Sequence, residues 1–142
     1  MSGPTIDGPT VSAAGASRVV EAAVRRAEEL GVAVVVWVVD PGGHDVAMLR
    51  MDGAPLLSRQ VARDKAWSSV AFGQPTTWWA TIIDDDPGLA ALGRGNRLMP
   101  VAGGVPLRVG STLVGGLGVS GASAEQDGDI AETGAAALAG TD

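Results

Sequence analysis

The sequence predicts an α+β layer fold, a five-stranded, largely antiparallel sheet flanked by helices. Three observations predict it. Segments of helical period alternate with short β-branched or glycine-punctuated runs in the order helix, hairpin, helices, three strands, helix. The 142 residues suit one domain that buries roughly two-thirds of the surface its unfolded chain exposes. Hydrophobic residues make up 46% and charged residues 18%, with 21 glycines and 8 prolines, so the chain is an apolar, turn-rich globule rather than a disordered one.

Residues 1–10 (MSGPTIDGPT) carry turn formers and no apolar periodicity, and are expected to form a flexible tail ahead of a single domain over 11–142. Ala16, Val19, Val20, Ala23, Val24, Ala27 and Leu30 then repeat at the spacing of one helical face, with Arg and Glu on the other. Gly31 stands where a left-handed cap is wanted. The apolar run VAVVVWVV (32–39) reads as a central strand, and Asp40-Pro41-Gly42-Gly43-His44 as the turn into a partner strand over 45–51. A second helix is expected over 56–72, introduced by Pro55 and closed by Gly73, with Leu57, Val61, Lys65, Ser68 and Phe72 as its inner row. TTWWATII (76–83) reads as a short helix, and Asp86 before Pro87 as the cap of a further turn. Beyond Leu98 the pattern becomes β: LMPVA, VPLRV and TLVGGLGVSG, three strands in a meander. Ser123 and Gln126 form a Ser-x-x-Gln capping box before a last helix to about Ala139, with Ile130 and Leu138 facing the sheet.

Ten basic against sixteen acidic residues give a formal charge of −6, the wrong sign for nucleic acid or an anionic membrane surface. With no cysteine there is no disulfide framework, thiolate nucleophile, thiolate zinc site or covalent c-type haem, and a lone histidine leaves few metal designs. No apolar run reaches membrane-spanning length and no secretory leader is legible, so a cytoplasmic protein is expected.

Five groups of residues could carry chemistry. His44, in the hairpin turn, suits acid/base work or iron ligation, whereas an exposed turn histidine needs no role at all. Lys65 lies in an apolar row, either laying its stem along the core and lifting its charge to water, or meeting an anionic ligand group such as a carboxylate. Neighbouring Asp64 is expected at the surface. Arg50 and Asp52, in RMDGAPL, offer an anion clamp and a carboxylate, or merely end a strand. Gly103-Gly104 reads as a hairpin turn or as backbone amides for a carboxylate. Gly116 to Gly121 matches G-x-G-x-x-G without the βαβ unit of a dinucleotide site, and such a strand implies close approach of another backbone or a flat ligand. The Asp84 to Asp86 triplet lacks calcium-loop spacing and reads as solvated. Met48, Met51 and Met99 read as core filler. Four tryptophans, including Trp78 and Trp79, in a chain with one phenylalanine suggest a closed homo-oligomer, with Trp78 or Trp79 at an interface.

VVDPGGH (38–44), RMDGAPL (50–56), DKAWSSVAFGQPT (64–76), the Gly-Gly-x-Pro-Leu of 103–107 and GGLGVSGASAEQD (115–127) together resemble the GlcG/HbpS family of haem-degrading or haem-binding-like domains. The likeness runs from about Thr10 to Gly140. It implies a profilin-like version of the α+β fold and assembly into dimers or larger homo-oligomers. It also implies a haem or tetrapyrrole ligand, in a pocket lined by His44 as a possible iron ligand, Arg50, Asp52, Lys65, Gly103, Gly104 and Gly116. Members differ in function, however, and the same residues leave open a cofactor-independent enzyme. There His44 would be the general acid/base, with Lys65 or Arg50 holding a small anionic substrate for isomerisation, addition/elimination or hydrolysis.

Overall fold

The computed structural model describes residues 3–94 and 97–139. Helix α1 (Ala13–Leu30) is opened by the Ser12 hydroxyl, which accepts from the Gly15 amide, and ended by Gly31 at φ 72°. It leads into strand β1 (Val35–Val39), which turns through the Asp40–His44 loop into β2 (Asp45–Arg50). Helix α2 (Ser58–Phe72) ends at Gly73, again left-handed at φ 66°, and is followed by α3 (Thr76–Asp85) and a 3-10 turn over Leu89–Arg94. Strands β3 (Gly104–Val109) and β4 (Thr112–Ser120) form the second hairpin, and α4 (Ala124–Ala136) closes the chain with the expected Ser123/Gln126 capping box.

The sheet has four strands, not five, in the order β2-β1-β4-β3, and every neighbouring pair is antiparallel. LMPVA (98–102), expected as a strand, is irregular. Polar groups of this stretch, and of Arg97 just before it, are taken by helix side chains instead of a ladder. Ser68 Oγ donates to the Arg97 carbonyl at 3.1 Å and accepts from the Met99 amide at 2.9 Å, while Thr76 Oγ1 donates to the Val101 carbonyl at 2.6 Å. Pro100 has no amide to give a neighbouring strand.

One face of the sheet presents Val36, Val38, Val105, Leu107, Val114, Leu117 and Val119 to the small-residue faces of α1 and α4, and this is the main core. Helix α2 crosses the other face, over β4, β1 and β3. Its buried residues are Ser58, Ala62, Asp64, Lys65, Ala66, Ser68 and Ser69, a rotation of the expected row that keeps Lys65 and Ser68; Leu57 is 74% exposed and Phe72 63% exposed. The glycines of β4 cause the rotation. A methyl group on Gly118 would collide with the Ala62 carbonyl and the Ala66 amide, and one on Gly116 with the Ala66 carbonyl and the Ser69 hydroxyl. With the helix backbone seated directly on the strand at Gly116 and Gly118, no large side chain fits between the layers there.

Asp64, expected at the surface, is buried, accepting from Gln60 Nε2 at 3.0 Å and from Arg97 Nε at 3.2 Å. Trp79 is buried within the chain, its indole donating to the Ser68 carbonyl at 3.1 Å, so it is not available to an interface. Trp78 is half-buried and stacks on exposed Phe72 with ring centroids 4.9 Å apart. The Asp84 to Asp86 triplet is solvated, as its spacing implied.

Candidate functional site

The β1–β2 turn is built around one carboxylate. Asp40 Oδ1 accepts from the amides of Gly42 at 2.9 Å and His44 at 3.0 Å, and the Asp40 amide donates to the His44 carbonyl at 2.9 Å. The imidazole then folds back over the loop, with Nδ1 3.1 Å from Oδ1 and 3.2 Å from Oδ2 of the same aspartate. Gly43 is required by its backbone, at φ 83° and against the Trp67 ring, while a side chain on Gly42 would push the His44 ring from its place. Burial on its own pushes the Asp40 carboxyl up, but the amides of His44 and Gly42 and the His44 ring outweigh it and hold the group below the ordinary value.

The His44 side chain is 81% exposed. It borders a shallow hollow of about 530 Å³ whose other walls are Gly8, Pro9, Thr10, Pro41, Thr112 and Leu113. The N-terminal segment is held beside it where the Val11 amide donates to the Val114 carbonyl at 2.8 Å. The hollow is mainly apolar, has the volume of a small-molecule site, and has His44 in its lining.

The remaining sequence-derived candidates are not brought to this place. Arg50 and Asp52 lie at the far end of β2, roughly 20 Å from His44 at strand rise, beside a separate hollow that includes Val24, Glu28 and Met51. Lys65 is 1% exposed, and neither reading of it from the sequence describes its position. Its ammonium donates to the Val119 carbonyl at 2.9 Å and to Asp127 Oδ2 at 3.1 Å, tying α2 to the end of β4 and the first turn of α4. Burial pushes this ammonium down and the Asp127 carboxyl up, each resisted by the charge of the other. Gly103, at φ 122°, leaves room for the Lys65 ammonium, and Gly104 and Gly116 lie beneath α2. Of the two alternatives for the glycine-rich strand, the close approach is therefore that of a backbone.

The residue missed in the sequence is Asp40. It was legible as an Asp four positions ahead of the only histidine across a Pro-Gly-Gly turn, a spacing at which an aspartate both closes the loop and meets the ring.

On the α2 side of the sheet, Asp45 accepts from the Trp37 indole at 2.8 Å and from Arg63, which also lies over the Trp37 ring. Burial raises the Asp45 carboxyl, but these donors hold it below its ordinary value of 3.8, and Asp129 is lowered chiefly by its hydrogen bond from Arg26. A carboxylate lowered by folding adds stability that is complete above the unfolded value and is lost as pH falls through the folded one. Stability should therefore decline below about pH 4, and Asp45→Asn should lessen the decline. Urea unfolding at pH 6 and pH 3 checks this: an unchanged pH difference in the variant would contradict it.

Residues 11–136 match the family described as haem degrading protein HbpS-like. The corrinoid adenosyltransferase PduO of Citrobacter freundii is 42% identical over 121 residues, which cover 82% of this chain and 36% of that protein. The chain thus spans about a third of the length of that relative. Among solved structures, the Klebsiella pneumoniae protein ORFY superposes with a TM-score of 0.91 at 30% identity, covering 97% of each chain. A PduOC–haem complex superposes with a TM-score of 0.83 at 38% identity, covering 90% of this chain and 94% of that one.

Proposed function

Since this chain belongs to the GlcG/HbpS family of HbpS-like haem-degrading proteins, we propose that it binds a small planar molecule, haem or a related tetrapyrrole, with His44 as the iron ligand. The observation that carries this reading is the single nitrogen directed away from the Asp40 carboxylate at the rim of an apolar hollow. A bare metal ion needs several protein ligands, and among the described residues no group of three or more His, Asp or Glu is placed to hold one. Haem iron already has four macrocycle nitrogens, so one imidazole is enough to anchor it. The donor set present therefore fits haem and does not fit a bare ion. When bound, haem supplies redox and oxygen chemistry. The chain's own part is to present the His44 nitrogen and to shield one face of the ring with Pro9, Pro41 and Leu113.

The hollow is open, and one chain covers only one side of a flat ligand. We therefore also propose a closed homo-oligomer, with the exposed Phe72 and its stacked Trp78 available to a second copy. A second reading, proton transfer to a small anionic substrate by His44, is favoured by the same Asp40–His44 pair. It would have to do without Lys65, whose ammonium is consumed inside the fold.

Titrating the purified protein with haemin tests the proposal. The expected result is a saturable Soret shift at one haem per chain, altered in His44→Ala. A featureless titration removes haem. Sedimentation of the same sample tests assembly: a species of single-chain mass alone would end that proposal.

A further inference from the structure

We propose that Asp40 is a positioning residue that fixes the tautomer and aim of His44, so that Nδ1 carries the proton and Nε2 presents its lone pair to the hollow. The inference deepens the haem-binding reading and rests on it only for the identity of what Nε2 meets.

An ionised carboxylate can only accept hydrogen bonds. Nδ1 lies within 3.2 Å of both carboxylate oxygens of Asp40, so in the neutral ring, the form that can act as a ligand, Nδ1 is the protonated nitrogen. The lone pair is then on Nε2, the atom on the far side of a side chain that is 81% exposed. The carboxylate cannot swing away from this task. Oδ1 is held by the Gly42 and His44 amides, and those bonds are the ones that close the turn. The ring is confined from behind as well, because it packs over the Gly42 backbone, where a methyl group would come 2.9 Å from Cε1. Loop closure and imidazole orientation are thus one arrangement. A hydrogen bond of this kind from a ligand imidazole to a carboxylate sets the tautomer and raises the basicity of the other nitrogen.

Asp40→Asn separates the two functions of the carboxylate. With the amide oxygen still held by the Gly42 and His44 N–H groups, an NH2 donor replaces Oδ2, 3.2 Å from Nδ1, and the negative charge that kept the proton on Nδ1 is gone, so the ring is expected to turn to the tautomer that accepts from the NH2. Nδ1 then becomes the acceptor, the proton moves to Nε2, and the outward lone pair is lost while the loop stays closed. The chain contains one histidine, so the ring resonances of ¹⁵N-histidine-labelled protein need no assignment.

In protein without haem, nitrogen–proton correlation spectra are expected to show the Nδ1–H tautomer in the wild type and the Nε2–H tautomer in Asp40→Asn. Haemin affinity is expected to fall about 10- to 100-fold in the variant, the usual effect of removing a ligand's hydrogen-bond partner. An Nε2–H wild type overturns the proposal even if the variant fails to fold. So does a variant with the wild-type tautomer, or one that binds haemin as tightly as a wild type that binds it. A tautomer switch in a protein that does not bind haemin supports Asp40 as the positioning residue and removes the haem reading alone.

Discussion

Lys65→Met is expected to cost about 3–5 kcal/mol of folding stability, the usual penalty for stripping one partner from a buried ion pair. The loss arises because Asp127 is 3% exposed and would be left in the core without a counter-charge, held only by backbone amides such as that of Ala122, 2.9 Å from its other oxygen. The Val119 carbonyl also loses its ammonium donor. Against a total of about 5–15 kcal/mol for a domain this size, the variant should show a urea midpoint lower by more than about 1 M. Asp127→Ala should be comparably damaging, since it leaves the ammonium buried without a counter-charge. The double variant Lys65→Met, Asp127→Ala should lose less than the two singles together, because no unpaired charge remains. Additive losses would show that the two groups act independently. Haemin binding per folded molecule should be unchanged in Lys65→Met, and a selective loss of binding at full stability would restore Lys65 to the ligand site.

Gly118→Ala is expected to cost about 3 kcal/mol, the upper part of the usual range for overpacking, because the added methyl group meets the backbone of α2 rather than a side chain that can turn aside. The helix must lift from β4 as a body, and that disturbs the Ala62–Ser69 row and the Lys65 pair behind it. Gly128 is the contrast. It lies inside α4, where an added methyl group would make ordinary contact with Ala102 at 3.6 Å. Gly128→Ala should therefore stabilise the fold by about 0.5–1 kcal/mol through helix propensity. Thermal or urea unfolding of the pair checks both signs. A tolerated Gly118→Ala would mean that the layers have slack that the packing does not show.

Helix α1 was legible with its Gly31 cap, as were the β1–β2 hairpin and the capping box of α4, because each is set within a few residues: Gly31 for the first, Asp40 to His44 for the second, Ser123 and Gln126 for the third. His44 at a loop apex was visible for the same reason, and so in principle was Asp40. The choices that tertiary structure made all lie between segments far apart in the chain. Residues 98–102 have strand composition, yet Ser68 and Thr76 occupy their polar groups and leave four strands. Asp64 has the helical position of a surface residue until Arg97 reaches it from 33 residues away. Lys65 stands in a row that reads as apolar, and its partner Asp127 is 62 residues further on. Local sequence determines which backbone conformation a segment prefers, since propensity, caps and turns act over one to four residues. What a buried polar group pairs with depends on which surfaces meet. Here the small side chains of α2 and the glycines of β4 let two backbones touch, and in doing so enclosed Lys65 and left His44 at the surface.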